Sequence, residues 1–310
     1  MPICWYKSPP YKGPGRCLYC ANSVNQNAMK GSNARIRNFR FVIASNAFIE
    51  LNTEWYFFEN LERECFCLTK TCVLVPTYNE RENVKNLLPE LCQVLETAVG
   101  NDYEVIVVDD HSPDGTGNIV KSFSRKNKRV LLLDRLGPRG RGFAGIEAFA
   151  LCLKRNCGVV VEMDADFSHD PKDLPKLLRA LKRHDLVLGS RFVSGGRQEG
   201  RGLPRRIVTA FANLYIRTLL GLKVSDCNSG FRAMRRKVVE SLLPELKATG
   251  PDIVQEVLFK AHEHGFNIGE VPITFKDRTV GQSKLGFKHL VKGYFVVLRL
   301  KLESLLSAKK

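Results

Sequence analysis

Several features that would place this chain of 310 residues in other protein classes are missing from its sequence. No run of 18 apolar residues occurs, and the longest apolar stretches, such as Phe41–Ile49, are too short to span a bilayer. The N-terminus also lacks the basic and then apolar layout of a secretory signal. We therefore expect a protein of the cytosol or of a membrane surface.

Two common kinds of functional motif are also missing. The glycine-rich stretch Gly137–Gly145 lacks the Gly-Lys-Ser/Thr of a P-loop. It precedes a predicted helix, and this position would allow the backbone of the loop to approach a ligand. Its two arginines, Arg139 and Arg141, either contact phosphate or are solvated, and the sequence leaves both interpretations open. The histidines show no metal-ligand spacing, and we assign no role to His169, His184, His262, His264 or His289.

Acidic residues are outnumbered by basic ones, 32 against 48, which gives a formal net charge of +16. A surplus of this size favours an anionic partner: nucleic acid, an anionic membrane or a phosphate-bearing substrate. A nucleic-acid-binding protein is a distant alternative, since the basic residues are scattered and form no stripe with interleaved aromatics. We expect no nucleic-acid partner.

The first 70 residues differ in character from the rest. They are rich in Pro, Gly, Asn and Ser, and show no sustained period, which indicates an extension of uncertain order. Six of the ten cysteines lie in the first 72 residues, and four of them provide one possible zinc site: Cys17, Cys20, Cys65 and Cys67. We favour the alternative that these N-terminal cysteines are reduced thiols of a leader.

Short apolar runs alternate with helical stretches after Thr71. The predicted strands are Cys72–Val75, Glu104–Val108, Arg129–Leu133, Val159–Met163 and Leu186–Leu188. The predicted helices are Pro89–Val99, Asn118–Lys126, Phe143–Arg155 and Pro171–Arg183, the last with Asp170 as N-cap. Strands that alternate with helices predict an α/β fold with a mainly parallel sheet.

Polar motifs follow the predicted strands, where an open parallel sheet binds its ligands. They are Pro76–Glu80 (PTYNE), Asp109–Thr116 (DDHSPDGT), Asp164–Pro171 (DADFSHDP) and Gly189–Gly196 (GSRFVSGG). Asp164 and Asp166 are two apart, so both carboxylates point to one side of an extended backbone. Such hard oxygen donors suit Mg²⁺ or Mn²⁺ held together with a diphosphate, whereas the alternative is a pair of solvated loop acids.

These motifs, followed by DCNSGFR at Asp226–Arg232, GEVP at Gly269–Pro272 and FKDRTVGQSKL at Phe275–Leu285, occur in a characteristic order. The chain from Thr71 to Leu300 thereby resembles the dolichol-phosphate mannosyltransferases, which are inverting family-two glycosyltransferases with a GT-A fold. The resemblance implies transfer of mannose from GDP-mannose to dolichyl or another polyprenyl phosphate. The product would be dolichyl β-D-mannosyl phosphate, used for protein glycosylation or lipid-anchor synthesis.

The resemblance also implies roles for individual residues. The donor would be bound by Pro76, Tyr78, Glu80, Val108, Asp110, Asp164, Ala165, Asp166, Arg191, Arg278 and Lys284. The metal would be held by Asp164 and Asp166, with Ser168 at a position where some relatives have a Gln ligand. The acceptor phosphate would contact Arg191, Arg205 and Thr209, and the catalytic residues would be Asp166, Arg191 and Lys284.

Three domains follow from these observations: an extension at 1–70, a catalytic domain at 71–284 and a basic amphipathic helix at 285–310. The helix either lies on a membrane or packs one face on the catalytic core. A membrane-anchored partner subunit, as some relatives use, is a third way of holding the protein at the cytosolic face of a membrane, which would be the endoplasmic reticulum in a eukaryote and the cell membrane in a prokaryote.

One nearer functional alternative stays open. It is a prenyl-phosphate glycosyltransferase that uses UDP-glucose or another sugar nucleotide, and a comparison of GDP-mannose with UDP-glucose in a transfer assay would separate the two. The family resemblance therefore implies both the reaction class and the donor sugar, and this alternative concerns the donor sugar.

Overall fold

The computed structural model describes residues 40–42, 48–50, 69–277 and 287–307. The chain divides into two compact units, Met1–Cys67 and Leu68–Lys310. In the first unit, β1 (Arg40–Val42) pairs antiparallel with β2 (Phe48–Glu50). The sequence analysis predicts no strand here, because strands of three residues are too short to reveal a period. The four cysteines of the zinc alternative lie outside the described residues.

The second unit is built on a seven-stranded sheet. The strands that the structure describes in this unit are β3 (Thr71–Thr77), β4 (Tyr103–Asp109), β5 (Val130–Asp134), β6 (Val159–Glu162), β7 (Leu186–Ser190), β8 (Arg197–Glu199), β9 (Arg232–Arg235), β10 (Ile268–Pro272) and β11 (Thr274–Lys276). The sheet order is β10-β7-β9-β6-β3-β4-β5, and its pairs are parallel except for β9, which is antiparallel to β6 and β7. The predicted α/β class and mainly parallel sheet are confirmed.

Continuous apolar runs form the central strands, because helices cover the sheet and leave no face for polar residues. Val73–Val75 of β3 and Val105–Val108 of β4 are each at most 1% exposed. The helices are α1 (Arg81–Val99), α2 (Thr116–Lys126), α3 (Arg141–Lys154), α4 (Leu174–Ala180), α5 (Leu203–Leu220), α6 (Arg236–Leu242), α7 (Ile253–Glu263) and α8 (Phe287–Ser307). No helix within the described ranges is long and apolar enough to cross a membrane.

Several predicted helix boundaries are wrong. α1 begins at Arg81 rather than at the predicted Pro89, which lies inside the helix. The predicted helix over 171–183 is a 3₁₀ turn at Pro171–Asp173 followed by the shorter α4. Its cap is confirmed, since the Asp170 side chain accepts a hydrogen bond from the Lys172 N–H at 3.0 Å.

The expectation of reduced N-terminal thiols is wrong for Cys72. This residue belongs to the sheet, as the second residue of β3, and forms a disulfide with Cys157 just before the neighbouring strand β6. The sulfur of Cys152 lies within 4.8 Å of both bridged sulfurs and stays a free thiol. The sequence does not reveal this pair, because the two cysteines are 85 positions apart and are brought together only by the pairing of parallel strands.

Candidate active site

The motifs after β3 and β4 lie side by side at the carboxyl edge of the sheet. Pro76 is the register partner of Val108, and Thr77 is the partner of Asp109. The Thr77 hydroxyl donates a 2.8 Å hydrogen bond to Asp109, and the Asp110 N–H donates to the Thr77 carbonyl at 3.1 Å. Parallel pairing therefore joins the PTYNE and DDHSPDGT motifs directly.

Left-handed backbone is concentrated in the edge loops. Asn79, His111 and Phe167 have φ values of 59°, 52° and 59°. Asn tolerates this region, but a bulky aromatic such as Phe167 adopts it at a cost. His111 takes the same left-handed conformation, which Gly and Asn adopt more readily than most residues. Backbone strain of this kind is typical of functional loops.

Three consecutive residues of the glycine-rich loop connect three predicted donor-binding residues. Arg139 donates a 2.7 Å hydrogen bond to the Tyr78 hydroxyl and its guanidinium lies 4.7 Å from the centre of that ring. The Gly140 N–H donates to Asp110 at 2.8 Å. Arg141 hydrogen bonds to Asp164. The loop therefore ties the motifs after β3, β4 and β6 into one site.

Glycine is required in this loop because another segment approaches its backbone. A Cβ atom on Gly140, whose φ is +151°, would lie 2.2 Å from the carbonyl oxygen of Thr249, and one on Gly142 would lie 2.1 Å from that of Ala248. The start of the loop is held by Arg135, which is almost fully buried and pairs with Asp110. These contacts fix the position of Arg139 and Arg141.

Asp164 and Asp166 emerge from the end of β6, as predicted. Asp166 Oδ1 accepts hydrogen bonds from the Ser168 N–H at 3.1 Å and from the Ser168 hydroxyl at 2.6 Å. Asp164 pairs with Arg141, whose Nε and Nη2 atoms are buried and have no hydrogen-bond partner within the described residues. Burial alone would lower the pKa of Arg141, but the charges of Asp164 and Glu162 raise it, so the guanidinium stays charged.

The chemistry of this group fits a divalent cation. Asp164, Asp166 and Ser168 offer only oxygen atoms, which Mg²⁺ and Mn²⁺ prefer. Gly230 lets the Arg141 guanidinium reach Asp164, since a Cβ on Gly230 would lie 2.6 Å from Arg141 Nη2 and 3.6 Å from Asp164 Oδ1. In the structure, the Arg141 guanidinium supplies the positive charge beside the Asp164 carboxylate.

His169 supports the same loop as a neutral side chain. Its Nδ1 accepts a 3.0 Å hydrogen bond from the Asp164 N–H, and its ring stacks on Phe231 with centroids 5.1 Å apart. Burial lowers the pKa of this imidazole more than the charges of Asp164 and Asp166 raise it. His169, to which the sequence analysis assigns no role, thus orients the backbone of Asp164.

Arg191 of the GSRFVSGG motif is fixed by Asp226 of the DCNSGFR motif. Its Nε and Nη2 atoms donate to the two oxygens of this buried carboxylate, each at 2.7 Å. Asp226 is held in turn by Glu270 of the GEVP motif, which accepts its N–H at 3.0 Å. The Arg191 guanidinium lies 5.0 Å from the centre of Phe275. Four motifs therefore meet around one arginine.

The remaining predicted residues have different environments. Arg205 on α5 is half exposed and forms a 3.0 Å ion pair with Asp277, while the Thr209 hydroxyl donates to the Arg205 carbonyl at 2.8 Å. Glu80 accepts a 2.6 Å hydrogen bond from Asn83. Val108 and Ala165 are buried, and Arg278 and Lys284 lie outside the described residues.

The sequence analysis misses several residues that organise the site. Arg135, Asp226 and Glu270 are not among the predicted site residues, although Asp226 lies in the DCNSGFR motif and Glu270 in the GEVP motif. The roles of Arg139 and Arg141 stay open in the sequence, because a glycine-rich loop alone does not show which segment it contacts. The one signal for a role of these arginines in the sequence is their position between the motifs DDHSPDGT and DADFSHDP, which follow β4 and β6.

The fold is that of GT-A enzymes. The structure of glucosyl-3-phosphoglycerate synthase from Mycobacterium tuberculosis with Mn²⁺, UDP-glucose and phosphoglyceric acid matches with a TM-score of 0.58 and 19% identity, covering 82% of this chain and 85% of that one. The same enzyme with Mn²⁺, UDP and glucosyl-3-phosphoglycerate matches with a TM-score of 0.56 and 21% identity, covering 78% of this chain and 82% of that one.

Sequence comparison gives the family. The family described as glycosyl transferase family 2 matches residues 72–243. A polyprenol monophosphomannose synthase of Mycolicibacterium smegmatis is 36% identical over 74% of this chain and 85% of its own length. An undecaprenyl-phosphate mannosyltransferase of Micrococcus luteus is 38% identical over 70% of this chain and 87% of its own length. The chain belongs to glycosyl transferase family 2 and is a glycosyltransferase.

Proposed function

We propose that this enzyme transfers mannose from GDP-mannose to a polyprenyl phosphate, such as dolichyl phosphate, with inversion at the anomeric carbon. The observation that carries the donor half is the set of contacts from Arg139, Gly140 and Arg141 to Tyr78, Asp110 and Asp164. Mannose and polyprenyl phosphate are supported by the names of the two relatives at 36% and 38% identity.

On the donor side, the nucleotide occupies the edge formed by the loops after β3 and β4, with its diphosphate toward β6. Pro76, Tyr78, Glu80, Val108 and Asp110 bind the nucleoside, while Asp164, Ala165 and Asp166 face the diphosphate. Asp164 and Asp166, with Ser168, hold Mg²⁺ or Mn²⁺, and the ion when bound supplies positive charge against the departing diphosphate. Arg191, Arg278 and Lys284 add cationic contacts to the same group.

On the acceptor side, the nucleophile needs little activation. A phosphate monoester has a second pKa of about 6, so its oxygen is largely ionised near neutral pH. Arg191, Arg205 and Thr209 hold this phosphate, so that one oxygen attacks the anomeric carbon opposite the leaving GDP. The protein's task is therefore orientation and charge stabilisation rather than proton removal.

We also infer that the enzyme works at the cytosolic face of a membrane, through two exposed apolar stripes. α5 exposes Leu203, Ile207, Phe211 and Leu214, and α8 exposes Phe295, Leu298, Leu302 and Leu305. The opposite side of α8 packs on the core through Val297 and Leu300, so both interpretations of this helix have a basis in its structure. The rings of Tyr215 and Tyr294 contact each other, with 4.8 Å between their centres, and so connect the two helices.

Residues 71–284 form the catalytic domain in this proposal. A membrane-anchored subunit is the alternative partner of the two apolar stripes.

Separate incubations with radiolabelled GDP-mannose and UDP-glucose test the proposal. Each contains Mn²⁺ or Mg²⁺ and a polyprenyl phosphate, and the label is counted in the organic phase after extraction. We expect label from GDP-mannose only, and none when the polyprenyl phosphate is replaced by its free alcohol. Label from UDP-glucose alone would favour the alternative donor, and no label from either would refute lipid-phosphate glycosylation.

A further inference from the structure

Three arginines form a cluster on the acceptor side of the site, and two of them are neutralised. Arg191 pairs with Asp226, and Arg205 pairs with Asp277. The third, Arg201, has no carboxylate at ion-pair distance anywhere in the described part of the chain. Asp277 and Asp226 act on its charge from a greater distance, but no described carboxylate pairs with it directly.

Arg201 is also partly buried with unsatisfied donors. Its Nε and Nη1 atoms are shielded from solvent, and no described residue accepts a hydrogen bond from them. Its guanidinium lies 5.6 Å from the centre of the Phe275 ring, which Arg191 also approaches. Burial and the charge of Arg191 both lower the pKa of Arg201. Buried donors without partners destabilise a protein, so this arrangement needs an explanation.

The backbone holds Arg201 in this position. β8 pairs with β11, which makes Gln198 the register partner of Phe275, and the Asp277 N–H donates to the Glu199 carbonyl at 2.9 Å. Gly200 then turns the chain with a φ of +72°. The side chain is thus placed by a pair of strands rather than by a free loop.

An apolar surface begins directly after this cation. Leu203, two residues further, is 67% exposed and opens the apolar stripe of α5. A partly buried cation with unsatisfied donors beside an exposed apolar stripe matches a ligand with an anionic head and a hydrocarbon chain. A nucleotide would bind to the cation through its phosphates but would have no hydrocarbon chain to contact the apolar stripe.

We propose that Arg201 binds the phosphate of the lipid acceptor through its guanidinium, with Phe275 as support for that group. The inference rests on the proposed function, because it deepens the acceptor site of that reaction. Arg201 then lowers the stability of the unliganded enzyme but increases its affinity for an anion, which is common in binding sites. A purely structural arginine would have the opposite effect on stability.

Arg201→Met and Arg201→Lys test the proposal, with Arg206→Met as the matched control, since Arg206 is an exposed arginine at the start of the helix α5 that follows Arg201. Thermal midpoints are measured for each protein without ligand. Affinities are then measured by calorimetry for farnesyl phosphate, for inorganic phosphate and for GDP with Mn²⁺. None of these measurements depends on sugar transfer, so failure of the proposed function is seen separately, in the labelling experiment.

We expect Arg201→Met to raise the midpoint of the unliganded protein by about 2–4 °C, because an unsatisfied buried cation is removed. Farnesyl phosphate affinity should fall about tenfold or more, with a smaller loss for Arg201→Lys and no change for GDP. Arg206→Met should change neither property. A lowered midpoint with unchanged farnesyl phosphate affinity would overturn the proposal, as would an equal loss of GDP affinity. Farnesyl phosphate that binds no tighter than inorganic phosphate would overturn the lipid assignment.

Discussion

Glu104 shows how single residues stabilise the fold at the edge opposite the site. Its carboxylate receives two hydrogen bonds from Arg155, at 2.5 and 2.7 Å, and one from Lys70 at 3.1 Å. Burial alone raises the pKa of Glu104, but these cations outweigh it and the pKa is lowered from its ordinary value. A lowered pKa in the folded protein means that ionised Glu104 stabilises it above the unfolded pKa.

We therefore expect Glu104→Gln to lower the free energy of unfolding by about 1–3 kcal/mol near pH 7. The difference from the wild type should shrink as the pH falls through the folded pKa of Glu104, because the wild-type carboxyl then becomes neutral as well. Urea unfolding at several pH values measures it, with the exposed Glu82→Gln as control. A difference that stays constant down to acidic pH would contradict the assigned ion pairs.

A substitution at Asp166 tests the proposed metal site, again at the scale of a single residue. Asp166→Asn removes one charge from the group formed with Asp164 and Ser168, so we expect Mn²⁺ affinity in the presence of GDP to fall about tenfold or more. Transfer should fall by a larger factor, because the leaving diphosphate loses charge stabilisation. Asp170→Asn, in the same loop but engaged in capping, is the control for calorimetry. Full wild-type activity in excess chelator would refute a metal-dependent reaction.

At the scale of secondary-structure elements, α5 and α8 expose apolar side chains that packing on the core does not account for. Both expose large apolar side chains along one side while burying another, which is the pattern of helices that lie in a membrane interface. Their aromatic contact through Tyr215 and Tyr294 makes the two stripes neighbours. The helices therefore form a joint surface rather than two separate ones.

Phe295→Glu and Phe211→Glu each place a charge in this surface. We expect binding to sedimented vesicles with anionic phospholipid to weaken about tenfold or more for each, since burial of a Phe side chain stabilises by about 1.5–3 kcal/mol. Thr97→Glu on α1 introduces the same charge on an exposed position elsewhere and should bind like the wild type. Unchanged vesicle binding of both Phe variants would leave a protein partner, rather than lipid, as the occupant of the stripes.

At the scale of the whole molecule, the catalytic unit should not need the residues before it. The matched family region begins at residue 72, and β3 begins at Thr71. A protein that starts at Glu64 retains β3 with Cys72 and its disulfide partner, so we expect a soluble enzyme with transfer activity close to that of the full chain. Insolubility, or loss of bound zinc together with activity, would make the cysteine-rich N-terminal segment a necessary domain.

Much of this molecule follows from its sequence, and the exceptions have physical causes. VIVV at Val105–Val108 predicts a buried parallel strand because its residues are apolar without interruption, and such local signals survive folding. Contacts across long separations do not show in a single sequence. Arg141 meets Asp164, and Cys72 meets Cys157, only because the sheet order places β3 between β4 and β6. The ligand role of Arg201 likewise depends on β8 pairing with β11, two strands too short to predict.

The product itself tests the central claim most directly. The lipid made by the wild-type enzyme from GDP-mannose and a polyprenyl phosphate can be purified and its sugar examined by NMR. Transfer with inversion from an α-linked donor predicts a β-mannosyl group on the lipid phosphate. An α-mannosyl group would contradict direct attack by the phosphate oxygen, and a lipid phosphate that carries no mannose would contradict the proposed reaction itself.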